Sequence, residues 1–280
     1  MKHTIQWGGL GKKKNKFCRI PPEWLQRFGA WQPDYYKRYR YNNYSQNGED
    51  GIIEKLFEHL NIKDGYLCEF GAWDGEHLSN TFNLFRDNQQ YTPILIEGDE
   101  NRYEDLVKNM EHRENAHLIN KYVDTKPSGT RSLNSIFREL DLPDIKDKFQ
   151  LLSIDVDGID YEIWKAFDYC RPKIVIIEVN TQKSAVFNID HSGAANIENI
   201  DHYSPDSGSS LAAMIKLGKE KGYEVVTHCG NVIFVIEELY NMLNIRSNGI
   251  ADIFDVWLYG WEEEAFRHLF PLAHPDEDSK

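Results

Sequence analysis

Apolar residues recur with two alternating periods from Tyr44 onward, one typical of helices and the other typical of strands. Helical spacing at 52–60 is followed by the short apolar run 66–70, and the alternation continues along the chain. It predicts further strands at 93–97, 117–123, 151–155 and 173–179, and further helices at 103–110, 133–140 and 161–167. Strands and helices that alternate in this way are typical of a mostly parallel sheet covered by helices.

The last part of the pattern differs from the rest. A predicted helix runs from Ser209 or Ser210 to Gly222, and two apolar runs, 223–228 and 232–236, flank a tight turn. Two strands joined by so short a turn must be antiparallel. We therefore predict an α/β, Rossmann-like fold: a mostly parallel seven-stranded sheet with a C-terminal antiparallel hairpin and helices on both faces.

The chain divides into three segments by composition. Residues 1–44 form a basic, aromatic extension with ten Lys or Arg and two acidic residues, whereas the whole chain has a net charge of −13. Residues 45–237 form the predicted catalytic domain, in which the polar stretch 181–210 is long enough to be a substrate loop. Residues 238–280 form a C-terminal extension with an acidic tail. The acidic body makes nucleic acid an unfavourable partner.

Two further features bear on the compartment. No stretch approaches the roughly 20 apolar residues that a membrane span requires, and the polar N-terminus lacks the apolar run of a signal peptide. The four cysteines are scattered without a CxxC pair, which argues against a structural zinc site or a disulfide framework. We therefore expect a cytoplasmic protein without a transmembrane segment.

Acidic residues stand at the ends of four predicted strands, where ligands bind in open parallel sheets. Gly71 and Gly75, after the first strand, allow the backbone to approach a ligand closely. Glu97 lies 26 positions after Gly71, where an acid can accept hydrogen bonds from both ribose hydroxyls. The loop is not a GxGxxG fingerprint, and its carboxylates favour a cationic ligand without phosphate. S-adenosylmethionine fits that description.

Four motifs resemble those of the FkbM-type class I methyltransferases, over about residues 44–237: YSQNGED from Tyr44, EFGAWDGEHLSNT from Glu69, LIEGDE from Leu95 and SIDVDGIDYEIWKAF from Ser153. The resemblance implies that the first-strand loop binds the methionine part of S-adenosylmethionine, that Glu97 binds the ribose, and that Ser45 and Gln46 reach the cofactor carboxylate. The expected cofactor-binding residues are Ser45, Gln46, Glu69, Gly71, Ala72, Asp74, Ser79, Asn80, Glu97, Gly98 and Asp155.

The fourth and fifth strand ends are also similar to those of metal-dependent O-methyltransferases that act on sugars and catechols. This similarity implies that Asp155, Glu178 and Asn180 hold a divalent cation, and oxygen ligands favour magnesium or manganese. Asp157 is either a further ligand or the base that deprotonates the acceptor. The alternative is that Asp155 and Asp157 only cap the next helix.

His191 and His202, in the predicted substrate loop, compete with Asp157 for the role of base. We favour Asp157 because it follows a rigid strand end. The predicted function is metal-assisted methylation of a sugar hydroxyl in a glycan, capsule or nucleotide-sugar pathway, by a possible homo-oligomer. Two alternatives stay open. Asp155-Val156-Asp157 is also the DxD sequence of metal-dependent glycosyltransferases, and the chain could be a catalytically silent methyltransferase-like binding protein.

Overall fold

A computed structural model describes residue 36 and residues 39–180, 208–209 and 211–243. Its sheet has seven strands in the order β3-β2-β1-β4-β5-β7-β6, and β7 runs antiparallel to both β5 and β6. The strands are β1 (Gly65–Phe70), β2 (Tyr91–Glu97), β3 (His117–Asn120), β4 (Phe149–Ile154), β5 (Ile174–Glu178), β6 (Tyr223–Cys229) and β7 (Asn231–Ile236). The predicted fold class is confirmed.

The helices of the described residues connect these strands. They are α1 (Glu49–His59), α2 (Phe82–Phe85), α3 (Glu100–Asn109), α4 (Leu133–Leu140), α5 (Ile145–Lys148), α6 (Asp160–Ala166), α7 (Leu211–Glu220) and α8 (Glu237–Tyr240), followed by a 3-10 turn, Asn241–Leu243. None of the described helices is long and apolar enough to cross a membrane.

The core has two halves because successive strand residues point to opposite faces of the sheet. On one face Cys68, Leu152 and Val175 pack against α4, α6 and α7. On the other face Leu67 and Leu151 pack against α1 and α3. The central strands are therefore buried on both sides, as their continuous apolar runs indicate.

Several details differ from the sequence predictions. β3 ends at Asn120 rather than at residue 123, and β4 ends at Ile154, so that Asp155 is the first residue of the following loop. The short helix α5 is not predicted, because Ile145 is its only buried residue and no apolar period forms. The ends of strands and the short helix therefore depend on packing between distant residues, which a local sequence pattern does not record.

The ends of the chain lie mostly outside the described residues. From the N-terminal extension Tyr36 is fully buried, and its hydroxyl lies 2.9 Å from Nδ1 of His59 on α1. From the C-terminal extension Leu243 is buried in the same half of the core. Residues 181–207 and 244–280, including His191 and His202, lie outside the described part of the chain.

Candidate active site at the carboxyl edge of the sheet

The loops that carry the candidate residues start side by side. Phe70 at the end of β1 is in register with Ile96 of β2 and with Ile154 of β4, and Ile154 is in register with Ile177 of β5. The carboxyl ends of four parallel strands therefore form one continuous edge. This is the edge where open α/β sheets bind their ligands.

Glu97, the last residue of β2, is 6% exposed and lies between two loops. Its Oε2 accepts a hydrogen bond from the backbone N–H of Trp73 at 2.8 Å, and its Oε1 accepts one from the backbone N–H of Asp99 at 2.8 Å. Each carboxylate oxygen can accept a further bond. Glu97 therefore has a fixed orientation and retains the capacity to accept two hydroxyl groups.

Glu69 in β1 anchors the segment that follows the loop. Its Oε2 accepts hydrogen bonds from the hydroxyls of Ser79 and Thr81, both at 2.5 Å, and its Oε1 accepts one from the backbone N–H of Asn80 at 2.7 Å. Burial raises the pKa of Glu69, and these hydrogen bonds oppose the shift. Ser79 also accepts the N–H of Phe82 at the start of α2 at 2.9 Å. The Ser79 hydroxyl and the backbone N–H of Asn80 thus serve Glu69, whereas the side-chain amide of Asn80 donates to the hydroxyl of Ser153 at 3.1 Å.

Backbone conformation and packing give a second explanation for glycine at positions 71 and 75. Gly71 has φ +83°, and a Cβ there would lie 2.0 Å from the backbone oxygen of Asp155. Gly75 has φ +84°, and its Cβ would lie 2.6 Å from Cδ1 of Leu106. Backbone packing therefore requires glycine at position 71 whatever the loop binds, whereas at position 75 it is mainly the positive φ that favours glycine.

Three other candidates of the cofactor set shape the same loops. Ala72 is buried, and its N–H donates to the carbonyl oxygen of Ile96 at 3.1 Å. Asp74 Oδ1 accepts the backbone N–H groups of Glu76 and His77 at 3.0 and 2.7 Å, which closes the loop into a turn. A Cβ on Gly98 would lie 2.5 Å from the ring of Tyr122. These residues set the shape of the edge between β1, β2 and β3.

Ser45 and Gln46 precede α1. The Ser45 hydroxyl donates to Oδ1 of Asn42 at 3.1 Å and accepts the N–H of Asp50 at 3.0 Å. Gln46 is exposed, and its carbonyl oxygen accepts from the side chain of Asn42 at 2.9 Å. The side chain of Ser45 is thus part of the turn that starts α1, whereas the side chain of Gln46 faces solvent.

A cluster of carboxylates lies at the ends of β4 and β5. One carboxylate oxygen each from Asp155, Asp157 and Glu178 lies within 4.8 Å of the other two. Asn180 follows two residues after Glu178, and its N–H donates to the carbonyl oxygen of Ser209 at 2.9 Å. The structure therefore brings together the two predicted acidic ligands and the predicted base.

The electrostatics of this cluster are unfavourable for carboxylates alone. Desolvation, followed by repulsion from Asp155, Asp160 and Asp157, raises the pKa of Glu178 to about 10. Asp155 is accessible to solvent on one side, but protein atoms surround the rest of its carboxylate. The resulting desolvation, followed by repulsion from Asp160 and Asp157, raises the pKa of Asp155 well above its ordinary value. A cation would relieve this repulsion.

The alternative that Asp155 and Asp157 cap the next helix does not fit the geometry. The carboxylate that closes this turn belongs to Asp160, which accepts the N–H groups of Val156 and Gly158 at 2.9 and 3.0 Å. The N-cap of α6 is Ile159, which makes no side-chain capping bond. Asp155 and Asp157 are therefore left for another role.

The sequence motifs assign no role to Asp160, Glu49 or Asn231. Asp160 is 2% exposed, and burial raises its pKa to about 6. Glu49 has no exposed surface and accepts a hydrogen bond from the side chain of Asn231 at 3.2 Å. Glu49 belongs to the same motif as Ser45 and Gln46, so the sequence could have indicated it as a candidate. Nothing local in the sequence indicates its partner, Asn231.

The donor set fits both expected ligands. Carboxylates dominate the edge at Glu69, Glu97 and Asp155, which suits a ligand that carries a sulfonium and an ammonium group. The trio of Asp155, Asp157 and Glu178 offers only oxygen atoms, which suits magnesium or manganese.

The strand order and this carboxyl-edge site define a class I methyltransferase fold. The chain belongs to the FkbM methyltransferase domain family, whose model matches residues 33–225. It is therefore an S-adenosylmethionine-dependent methyltransferase.

Solved structures with a similar fold include a SAM-dependent methyltransferase from Aquifex aeolicus, at 12% identity and TM-score 0.40, covering 74% of this chain and 99% of that chain. A candidate caffeoyl-CoA O-methyltransferase from Staphylococcus aureus is similar at 15% identity and TM-score 0.41, covering 66% of this chain and 80% of that chain. No curated protein matches the chain in sequence. The family assignment rests on the match over residues 33–225.

Proposed function

We propose that the protein transfers the methyl group of S-adenosylmethionine to a hydroxyl group of a sugar, with the assistance of a divalent cation. The observation that carries this proposal is the position of two groups on one edge. The buried acid Glu97 stands at the end of β2, and the carboxylate trio of Asp155, Asp157 and Glu178 stands at the ends of β4 and β5.

The residues would divide the work as follows. Glu97 would accept hydrogen bonds from the ribose hydroxyls, while the backbone of the loop that begins at Gly71 would face the methionine part. The bound cofactor supplies an electrophilic methyl group on sulfur. Asp155, Glu178 and Asn180 would hold the cation, which supplies a Lewis acid for an acceptor hydroxyl.

Asp157 would accept the proton of the acceptor hydroxyl. Asp157 is exposed, whereas Glu178 is only partly accessible, so an acceptor can reach Asp157 more easily than Glu178. Its backbone follows the rigid strand β4, and such preorganisation favours proton transfer at a defined position.

The sugar acceptor is supported by the resemblance of the fourth and fifth strand motifs to sugar and catechol O-methyltransferases. A cation in the carboxylate trio could also bind two neighbouring hydroxyls, which sugars and catechols share. We place the reaction in the cytoplasm, on a glycan or small-molecule acceptor, with residues 181–210 as the substrate loop.

The test is isothermal titration calorimetry of the full chain with S-adenosylmethionine, with and without manganese. Replacing Glu97 with Ala should weaken binding by roughly 10- to 150-fold, which corresponds to a total loss of about 1.5–3 kcal/mol, the worth of one hydrogen bond to a charged group. Glu100→Ala is the matched control, since Glu100 is exposed three residues further on. Unchanged affinity in Glu97→Ala would disprove the assignment of this site.

The same titration, together with a methyl-transfer assay, separates the alternatives. Tight binding of a nucleotide sugar with manganese, and no binding of S-adenosylmethionine, would favour the DxD glycosyltransferase. Binding of S-adenosylmethionine without methyl transfer to any member of a sugar panel would favour the silent binding protein.

A further inference from the structure

Glu49, the first residue of α1, is a fully buried carboxylate. Its Oε2 accepts the backbone N–H of Asn47 at 2.6 Å, and its Oε1 accepts the side-chain amide of Asn231 at 3.2 Å. Burial of an ionised group is costly unless that group is well paired. Glu49 therefore occupies a position that needs a reason beyond helix formation.

Asn231, the hydrogen-bond partner of Glu49, lies on the β6-β7 hairpin, 182 residues further along the chain. Asn231 begins β7 directly after the turn residue Gly230, and a Cβ on Gly230 would lie 2.2 Å from Nδ2 of Asn47. The residues Asn47 and Glu49 thus hold the turn of the β6-β7 hairpin against the start of α1.

That hairpin forms one wall of the carboxylate cluster. Asn231 is in register with Glu178 across the β5-β7 ladder. Glu49 is therefore connected to the cluster through Asn231.

The neighbouring acid performs the structural task at this helix start. Asp50 Oδ2 accepts the backbone N–H groups of residues 43, 44 and 45 at 2.7, 2.8 and 2.9 Å. Asp50 thus closes most of the turn before α1, whereas Glu49 accepts one N–H of that turn, from Asn47, and directs its other carboxylate oxygen at the hairpin.

We propose that Glu49 is a positioning residue for the cation site: through Asn231 it holds the start of β7 beside Glu178, and so sets the place of that ligand. This inference rests on the cation site of the proposed function. It assigns a role to the Glu of the QNGED motif, and it makes the N-terminal helix part of the machinery at the ends of β4 and β5.

The test is a manganese titration of the full chain, monitored by electron paramagnetic resonance, on the wild type and four variants. Glu49→Gln and Asn231→Ala should each weaken manganese binding about tenfold, because the first removes the charge that strengthens the contact and the second removes the contact itself. The double variant should bind less than about threefold more weakly than either single variant, since both act on one contact. Glu58→Gln, an exposed acid on the same helix, should bind as the wild type does.

Thermal melting of the same samples without metal separates position from mere stability. Wild-type manganese affinity in folded Glu49→Gln would overturn the inference and leave Glu49 as a structural residue, and so would a double variant whose loss is the full product of the single losses. Absence of manganese binding by the wild type would instead disprove the cation part of the proposed function, and this inference with it.

Discussion

Asp157 shows at the scale of one residue how backbone and chemistry are linked. It has φ +56°, in the left-handed region that non-glycine residues seldom adopt, and its side chain is exposed. Such backbone strain is characteristic of functional sites. It holds the carboxylate beside Asp155 and Glu178 without burying it.

Replacing Asp157 with Asn tests its role as the base. Asn also tolerates the left-handed region, so we expect the fold to persist. Turnover at saturating cofactor, manganese and acceptor should fall by about 100-fold or more, because general-base catalysis contributes roughly that much. Manganese affinity, measured in parallel, should be retained.

The controls for Asp157→Asn are His191→Ala and His202→Ala, which remove the competing bases of the predicted loop. Loss of manganese binding in Asp157→Asn would make Asp157 a ligand. Loss of turnover in a histidine variant alone would transfer the role of base to the loop.

At the scale of the elements, the loop after β1 packs against the loop after β4 in addition to bordering the expected cofactor site. The sequence pattern indicates that Gly71 leaves space for the cofactor. In the structure, the backbone oxygen of Asp155 lies where a side chain on residue 71 would be. A side chain on Gly71 therefore disturbs the packing of the β1 and β4 loops as well as any binding.

Gly71→Ala should accordingly destabilise the protein by about 3 kcal/mol or more, since overpacking adds to the strain of a positive φ. Gly208→Ala is a matched control, because Gly208 has a similar φ of +76° but its nearest described atom, Cβ of Asn180, would be 3.5 Å away. We expect that control to lose about 1 kcal/mol. Chemical denaturation measures both changes, and equal losses would contradict the clash.

The sequence predicts helices and strands well where local periodicity records burial. Local patterns alone predict β4 and β5, from their apolar runs, and α1 and α4, from their helical spacing. The acids at the strand ends also followed from the fold class, because parallel strands bring their carboxyl ends together. What could not be predicted are contacts between distant residues, such as that of Glu49 with Asn231, and the use of Asp160 rather than Asp155 to close a turn.

At the scale of the whole molecule, buried acids should make stability depend on pH. Burial raises the pKa of Asp160 to about 6 and also raises that of Glu69. Between roughly pH 4 and the higher pKa of the folded state, the unfolded chain has lost protons that the folded protein retains. Folding stability should therefore decrease as pH rises through this window.

Thermal melting of the metal-free protein at pH 5.5 to 8 measures this dependence, and the melting temperature should be highest at the acidic end. High salt is the control, because it screens the repulsion of the net charge of −13 but acts little on buried groups. A melting temperature that rises with pH would contradict the prediction.

The position of β7 between β5 and β6 has a consequence for synthesis of the chain. β5 is an apolar strand, Ile-Val-Ile-Ile, whose outer edge pairs with β7, and β7 leaves the ribosome after residues 181–210, α7 and β6. Until then a nascent chain carries an open hydrophobic strand edge, which can pair with other chains. Chains interrupted before residue 231 should therefore aggregate even though β1 to β4 and their helices are complete, and chaperones that shield strand edges should act during that interval.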